Sequence, residues 1–389
     1  MSERLRVLQL IDSLARAGAE QSLAMLAPYL VAVGIDVHVA YLVEREGLRP
    51  DIEKAGIPVH SLAGHGSGRR EWLARTIKLI SDVQPDVVHT TLFEADLAGR
   101  RAAARLGVPC VSSLVNTAYG RIESRRDGLS LLRVRAAQTA DAITARRVTR
   151  FHAVTQHVAT VMGRRLRVPA SKIDIVPRGR DAALLGRRST ERRAATRQSL
   201  ELAENVPVIL AVGRQESQKG FDVLVRALPA LRERYPDLQV LVAGREGRAT
   251  HMLVDLVQAT GLGQTVRFLG MRDDVPDLLA AADVLAFPSL WEGAAGTLQE
   301  AMALECPIVT SRLPTIVETA DESVAVHVEP GDAVDLARGI SVAFGDRQGT
   351  AERARAGRTR FQEHYTIEVC AGRMAEFYYR AAGTLPSRG

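Results

Sequence analysis

Short apolar runs alternate with longer stretches of helical periodicity from one end of the chain to the other. The first run, Arg6-Val7-Leu8-Gln9-Leu10-Ile11, predicts a buried strand, followed by a loop with Gly18 and a helix over 20–30. A second run, Val208-Ile209-Leu210-Ala211-Val212, opens the same sequence of events again: strand, Gly-bearing loop over 213–220, then a helix through Leu231. Between and after them, strands are predicted at 36–42, 87–89, 108–112, 150–154, 173–176, 239–243, 266–269, 284–287 and 307–310. Strands separated by helical patterns imply parallel sheets with crossover helices, and two such series imply two doubly wound α/β domains. The length of 389 residues agrees, because single cores stop growing well before that size. The boundary is expected after Pro177-Arg178-Gly179-Arg180-Asp181, in the polar stretch 187–197. That gives an N-terminal domain over 1–186, a C-terminal domain over 187–360, and a last helix within 361–389 packing back toward the first domain. No Gly/Ser linker separates the domains, so they are expected to enclose a cleft.

Composition narrows the class. With 46% hydrophobic and 25% charged residues, the chain reads as an ordinary globular protein. Cys110, Cys306 and Cys370 are scattered and form no C-x-x-C pair, which argues against a disulfide framework or a zinc site and for a reducing, cytoplasmic setting. No secretory h-region follows the N-terminus, and no apolar run approaches the roughly 18 residues of a membrane span. Charge is uneven: residues 1–190 carry 29 Lys+Arg against 18 Asp+Glu, and residues 191–389 carry 22 against 27. A basic first half fits an anionic partner, either a phosphorylated acceptor or an anionic membrane surface. The competing reading is an Arg-rich solvated surface, which four lysines among 51 basic residues support. No basic stretch interleaved with aromatics is present, so nucleic acid is not expected as a partner. The segment 121–150 is basic, with Leu129, Leu131, Leu132 and Val134 interspersed. It reads either as an amphipathic helix touching membrane or acceptor or, the favoured reading, as a helix packing its apolar side inward.

Candidate chemistry concentrates in the second half. The run Pro288-Ser289-Leu290-Trp291-Glu292-Gly293-Ala294-Ala295-Gly296-Thr297 leads into an apolar helix carrying Glu300. A small-residue loop feeding a helix presents unpaired backbone N–H groups that suit a phosphate, and the two flanking carboxylates suit hydroxyls of whatever carries it. Arg214 and Lys219 stand five residues apart on the loop leaving the 208–212 strand. No Walker motif accompanies them, so ATP hydrolysis is not indicated.

Taken in order, Gly18-Ala19-Glu20, Val212-Gly213-Arg214 with Lys219-Gly220, Phe268-Leu269-Gly270 before Asp274-Val275-Pro276, and Pro288-Ser289 before the Glu292/Glu300 pair carry a family likeness. Over nearly its whole length the chain resembles the retaining glycosyltransferases of family 4, which have the GT-B architecture of two Rossmann-like domains. The resemblance implies a nucleoside diphosphate sugar donor, of UDP or GDP type, and no resident cofactor. It implies that Arg214 and Lys219, with Gly213, hold the diphosphate; that the amides of Ala295, Gly296 and Thr297 contact it; and that Glu300 binds the ribose. Glu292 is implied near the transferred sugar, and Leu269, Gly270, Met271 and Arg272 at the nucleobase. Gly18 is implied where backbone approaches phosphate or acceptor. The absence of any Asp-x-Asp triplet fits a metal-independent route through the two cations.

The acceptor side departs from the family. Many relatives carry a histidine where Val115 stands, and valine can neither move a proton nor hold a hydroxyl. His89, at the end of a predicted buried strand, lies where open α/β sheets place ligands and is read as a catalytic and acceptor contact, with Glu20, Asn116 and Arg178 beside it. Arg178 and Arg180 replace the usual Asn and an apolar residue and hint at an anionic acceptor. The function implied is transfer of a sugar to a hydroxyl acceptor: lipid-linked, glycan or small molecule. Alternatives are an inactive nucleotide-sugar-binding protein and a sugar-nucleotide epimerase on the same architecture.

Overall fold

The computed structural model describes residues 4–45, 47–64, 68–120 and 130–384. The chain divides into two compact units, residues 1–179 with 366–389, and residues 180–365.

The first unit is built on a seven-stranded sheet in the order β3-β2-β1-β4-β5-β6-β7. Its strands are β1 (Arg6–Ile11), β2 (Asp36–Tyr41), β3 (Val59–Ser61), β4 (Val87–Thr91), β5 (Cys110–Leu114), β6 (Arg150–Ala153) and β7 (Ile173–Ile175). The second unit carries a six-stranded sheet in the order β10-β9-β8-β11-β12-β13. There the strands are β8 (Val208–Val212), β9 (Gln239–Ala243), β10 (Val266–Gly270), β11 (Val284–Phe287), β12 (Ile308–Ser311) and β13 (Val326–Val328). Every pairing is parallel. Strand order reverses beside β1 in one sheet and beside β8 in the other, and each of these strands therefore ends at a topological switch point.

The alternation of side chains along β1 and β4 divides the first core. Val7 and Ile11 pack with Val87, Val111 and residues of the Gly18–Ala32 and Ile367–Ala382 helices, while Leu8, Leu10 and Val88 face the Arg69–Val83 and Phe93–Leu106 helices. The second core is likewise two-sided, with Leu210, Leu241 and Leu285 on one face and Ile209, Val240 and Val309 on the other.

The border between units falls at 179/180, where the sequence reading set 186/187. The arginines of 187–197 are anchors of the second unit. Ser189 caps the Thr190–Ser199 helix by accepting from Arg192 N, Arg192 pairs with Asp277 at 2.6 Å, and Arg193 and Arg197 both reach Asp283. The last helix begins at Ile367, after a separate Arg347–His364 helix. Phe361, expected to start it, is fully buried in the second core instead. Strands β3 and β13, three residues each, carry too little apolar pattern to be read from sequence.

Candidate active site

In the second unit, chemistry gathers on the loops leaving β8 and β11. Gly213 follows β8 with φ +153°, and a Cβ there would sit 3.1 Å from Lys219 Cε, so the bare backbone lets the lysine stem lie across it. Ser217–Lys219 forms a single 3-10 turn closed by Gly220 at φ +63°, where a Cβ would meet Pro288 O at 2.1 Å. The two loops are tied together by Leu290 N donating to Gln218 O (2.8 Å) and Gln218 Nε2 donating to Trp291 O (2.8 Å). Lys219 Nζ is thereby held 2.5 Å from Glu292 Oε1, which also accepts from Ser289 Oγ at 2.9 Å. Arg214 is half exposed, with its nearest carboxylate, Glu216, at 4.0 Å. Its guanidinium is thus open to an anion, whereas the Lys219 ammonium is shared with Glu292.

The helix expected after the small-residue loop runs Gly296–Ala303, with Ala295 as its N-cap and no acidic residue in its first turn. Glu300 sits beyond that turn, and its Oε1 accepts from Arg180 Nε at 2.8 Å. At the end of β10, Gly270 takes φ +66° and its carbonyl accepts from Gly244 N at 2.7 Å. Met271 is exposed, and Arg272 is tied to Asp274 by bonds of 2.7 and 2.5 Å. Gly213, Arg214, Lys219, Glu292, Ala295, Gly296, Thr297, Glu300 and the 269–272 segment all belong to this one unit.

The first unit holds a different kind of chemistry. Gln9 on β1, His89 on β4, Ser113 on β5 and His152 on β6 share one sheet face; Gln9 and His89 meet Tyr378 from the last helix, and Ser113 links His89 to His152. The directions of their hydrogen bonds follow from one fixed end. Val176 O can only accept, so His152 Nε2 donates to it at 2.7 Å. Burial pushes His152 down to about 4, so the ring is neutral and Nδ1 accepts from Ser113 Oγ at 3.0 Å. Ser113 Oγ then accepts from His89 Nε2 (2.7 Å), and His89 Nδ1 from Tyr378 Oη (2.6 Å). Tyr378 in turn accepts from Gln9 Nε2 at 2.9 Å. Burial and the neighbouring His152 hold His89 down at about 3. Both its ring nitrogens are committed internally. His89, expected as a catalytic and acceptor contact, is here a neutral member of a buried relay.

Of the other first-unit candidates, Gly18 begins the Gly18–Ala32 helix, and a Cβ there would find only Arg178 Nη1, at an ordinary 3.8 Å. The site does not demand glycine. Arg178 Nη1 donates to Gly18 O at 3.0 Å, Glu20 is buried in the helix's first turn, and Asn116 is exposed. A cavity of about 50 Å³, lined among others by Gln9, His89, Ser113, Val115, Arg178 and Met374, brings the relay and Arg178 to one place and leaves Asn116 out. Sequence gave no signal for Tyr378, because it lies 289 residues from His89.

The opposite sheet face carries a charged cluster. Arg100, fully buried, donates from Nε to Ser112 Oγ (2.8 Å) and from Nη1 to Asp141 Oδ1 (2.5 Å), with Nη2 3.1 Å from Asp96 Oδ2. Thr90 donates to Asp96 Oδ1 at 2.5 Å, and Tyr119 to Asp141 Oδ2 at 2.7 Å. Burial, opposed by Arg100, holds the Asp96 carboxyl above the ordinary range. Asp141 lies on the Leu131–Ala145 helix, which reverses the favoured reading of that segment. Its inward face is polar, through Asp141 and Thr144, while Leu132 and Ile143 are 78% and 56% exposed beside the exposed Arg133 and Arg135. Residues 121–129 of the same basic segment lie outside the described residues.

Comparison with known proteins identifies the family and the fold. A family model described as glycosyl transferases group 1 matches residues 192–360, and one described as glycosyltransferase family 4 matches residues 16–184. Together they take in most of the chain, which belongs to the family 4 glycosyltransferases. D-inositol 3-phosphate glycosyltransferase of Salinispora tropica is 31% identical over 273 residues, 66% of this chain and 56% of that protein. The chain thus spans little more than half of that relative's length. 2-deoxystreptamine N-acetyl-D-glucosaminyltransferase of Streptomyces fradiae is 28% identical over 90% of this chain and 83% of its own. Among solved structures, Anabaena HepE in complex with UDP-glucose superposes with a TM-score of 0.84 at 22% identity, covering 97% of this chain and 100% of that one. A glycosyltransferase from Rickettsia africae gives 0.82 at 19%, covering 97% and 98%. These likenesses establish the fold as GT-B.

Proposed function

We propose that the chain is a retaining, metal-independent glycosyltransferase that moves a sugar from a nucleoside diphosphate donor of UDP or GDP type to a hydroxyl acceptor. The observation that carries this is the pair of interlocked loops that hold Lys219 on Glu292 and leave Arg214 half exposed, with the Gly296–Ala303 helix in the same unit. As the glycosidic bond breaks, negative charge grows on the leaving diphosphate. Cations and amides fixed beforehand stabilise that charge without reorganising, usually the largest catalytic term. Arg214 and Lys219 supply the cations, the Ala295–Thr297 backbone the amides, and Glu300 the ribose contact. Glu292, bound to Lys219 and Ser289, orients the lysine and accepts from a donor-sugar hydroxyl, a role that its contact with Lys219 supports. With His89 neutral and committed, the leaving diphosphate itself takes the acceptor proton on the face it departs from, which is the retaining course. The known proteins support the donor: HepE was solved with UDP-glucose, and the curated relatives are named as glycosyltransferases.

A peripheral membrane role for the first unit rests on one observation, Leu132 and Ile143 exposed among arginines on the Leu131–Ala145 helix. Exposed apolar side chains within a basic face suit an anionic bilayer, and a lipid-linked acceptor would be met there. No helix among the described residues is long and apolar enough to cross a membrane.

The test is a thermal-shift screen of UDP, GDP and their sugars, in which a donor at about 100 Kd stabilises by roughly 2.7 kcal/mol. It is followed by transfer assays on Arg214→Ala and Lys219→Ala, each expected to lose about a hundredfold to a thousandfold in kcat. Wild-type transfer in both variants would overturn the site. Binding without transfer or donor hydrolysis would point to a binding protein, and an altered sugar nucleotide formed without acceptor would point to an epimerase.

A further inference from the structure

The buried relay of the first unit runs in one direction, and that direction leaves one end open. Starting from Val176 O, each member donates to the one before it: His152, Ser113, His89, Tyr378 and last Gln9 through Nε2. The same order fixes the Gln9 amide. Tyr378 Oη spends its proton on His89, so it can take only a donor from Gln9. Turning the amide over would set two acceptors against each other. Gln9 Oε1 therefore lies on the other side of the amide, and it has no hydrogen-bond partner among the described residues although Gln9 is only 4% exposed. A buried carbonyl without a donor is costly, so the relay calls for a donor from outside the chain.

The surroundings of Gln9 show what kind of donor fits. Gln9 lines the cavity of about 50 Å³, and one water needs on the order of 10–15 Å³, so more than a single water has room. Thr91 and Val115 in its wall set it at the carboxyl ends of β4 and β5, and Gln9 lies on β1 beside β4, where the strand order reverses. Open α/β sheets take their ligands at such a point. Leu23 and Met374 add apolar wall, and Arg178 adds a positive charge. A cation is disfavoured beside Arg178, and an anion brings only acceptor oxygens to Oε1. A neutral hydroxyl on a carbon skeleton meets both demands.

We propose that this cavity is an acceptor subsite in which Gln9 Oε1 accepts from one hydroxyl of the acceptor while Leu23 and Met374 pack on the adjoining C–H surface. Gln9 is then a specificity-determining residue. The inference rests on the glycosyltransferase reading above and names the acceptor class for it. An amide oxygen is too weak a base to remove a hydroxyl proton, so the hydroxyl seated here is not the one that receives the sugar. That one gives its proton to the leaving diphosphate. The acceptor therefore carries a second hydroxyl beside the reacting one: it is a polyol, a sugar or cyclitol ring, and not an alcohol with a single hydroxyl.

The experiment follows the Met374 methyl resonance of the full chain, isotope-labelled at methionine and assigned with Met374→Leu, during titration with glucose, myo-inositol, cyclohexanol and inorganic phosphate. Glucose or myo-inositol shifts the resonance saturably and binds about tenfold or more tighter than cyclohexanol, and phosphate has no saturable effect. In Gln9→Leu the polyol weakens about tenfold to a hundredfold, cyclohexanol changes by less than about threefold, and calorimetric affinity for UDP or GDP stays within about threefold. Ala19→Leu fills the cavity from its wall without touching the relay, and it removes binding of both rings even where Gln9→Leu does not fold. Circular dichroism and melting temperature establish which variants are folded. A resonance that neither polyol moves would mean a cavity for water alone. Equal losses of polyol and cyclohexanol in Gln9→Leu would mean that Gln9 only braces the relay, and saturable phosphate binding without polyol binding would mean an anion site. Each of these overturns the inference and leaves the donor site standing. A wild-type chain that binds a polyol through Gln9 but neither UDP nor GDP overturns the donor reading and leaves the hydroxyl pocket.

Discussion

The two sheets share parallel strands and a reversal of order at the first strand of each unit, yet they treat polar side chains in opposite ways. In the first, the central strands β1, β4 and β5 carry Gln9, His89 and Ser113 on one face and Thr90 and Ser112 on the other, all buried. In the second, the matching strands β8 and β11 carry Ile209, Leu210, Ala211, Leu285 and Ala286, and buried polar groups come at the end of β12, as Thr310 and Ser311. Its functional groups begin where the strands stop, at Gly213 and after Phe287. Buried polar groups cost desolvation and must be fully satisfied, so those of the first unit are fastened to one another. Groups on loop ends stay within reach of water and ligand. On the proposed donor-site reading, the difference separates polar residues that hold a fold from polar residues that hold a substrate.

The largest effect that tests this separation comes from deleting one cation in each unit. Arg100→Met leaves Asp96 and Asp141 buried without their counter-charge and is expected to destabilise the protein by about 3–5 kcal/mol in urea unfolding. Lys219→Ala removes a partly exposed cation from Glu292, whose side chain is 6% exposed but keeps Ser289 Oγ as a donor, and is expected to cost about 1–2 kcal/mol while transfer collapses. Comparable stability losses from the two variants would break the distinction.

A smaller effect distinguishes the two faces of the first sheet by pH. His89 and His152 titrate near 3 and 4 in the fold against an ordinary 6.5, so their share of stability is complete above about pH 6.5 and is lost as pH falls toward those values. Each histidine accounts for about 2 kcal/mol of loss at pH 5. Asp96 on the opposite face has the reverse sign, because its folded value is raised: its share is complete at low pH and lost as pH rises above the ordinary carboxylate range. His89→Gln, whose amide can still donate to Ser113 and accept from Tyr378, is expected to lose about 1–2 kcal/mol less than wild type between pH 7 and pH 5. Asp96→Asn removes the opposing gain and steepens the acid loss. Parallel stability profiles for the two variants would mean that the faces do not titrate separately.

How much of this was legible in the sequence follows the same division. The second unit's candidate site lies on two contiguous loops, and Gly213-Arg214, Lys219-Gly220 and the Glu292/Glu300 run are each local segments of sequence that the loops bring together. The first unit's networks are assembled from distant segments. His89 meets Tyr378 across 289 positions and Arg100 meets Asp141 across 41, so no local spacing announces either. Arg100 four residues after Asp96 reads as an ordinary solvated helix pair, although its side chain has no exposure. Arg180 was visible as an unexpected charge, but its partner Glu300 lies 120 residues away. The strands themselves were legible because buried parallel strands are continuous apolar runs, and β3 and β13, each built around a Val-His pair, were lost because they are not.

The smallest effect on stability concerns the outer side of the first unit. Leu132 is 78% exposed and supports no core, so Leu132→Gln is expected to change stability by no more than about 0.5 kcal/mol. If the Leu131–Ala145 helix meets an anionic bilayer, the same change should weaken flotation with phosphatidylglycerol vesicles by about threefold to tenfold. Each exposed leucine adds apolar area to a contact to which Arg133 and Arg135 also contribute charge. Neutral phosphatidylcholine vesicles should bind poorly throughout, and raising salt should release the wild type by screening the arginines. Vesicle binding that ignores both Leu132 and salt would detach this helix from the membrane reading. A large loss of stability in Leu132→Gln would instead place the leucine in a contact that its exposure denies. The helix then belongs to the same division as the rest: Asp141 and Thr144, turned inward, hold the fold, and Leu132, turned outward, is free to serve a partner.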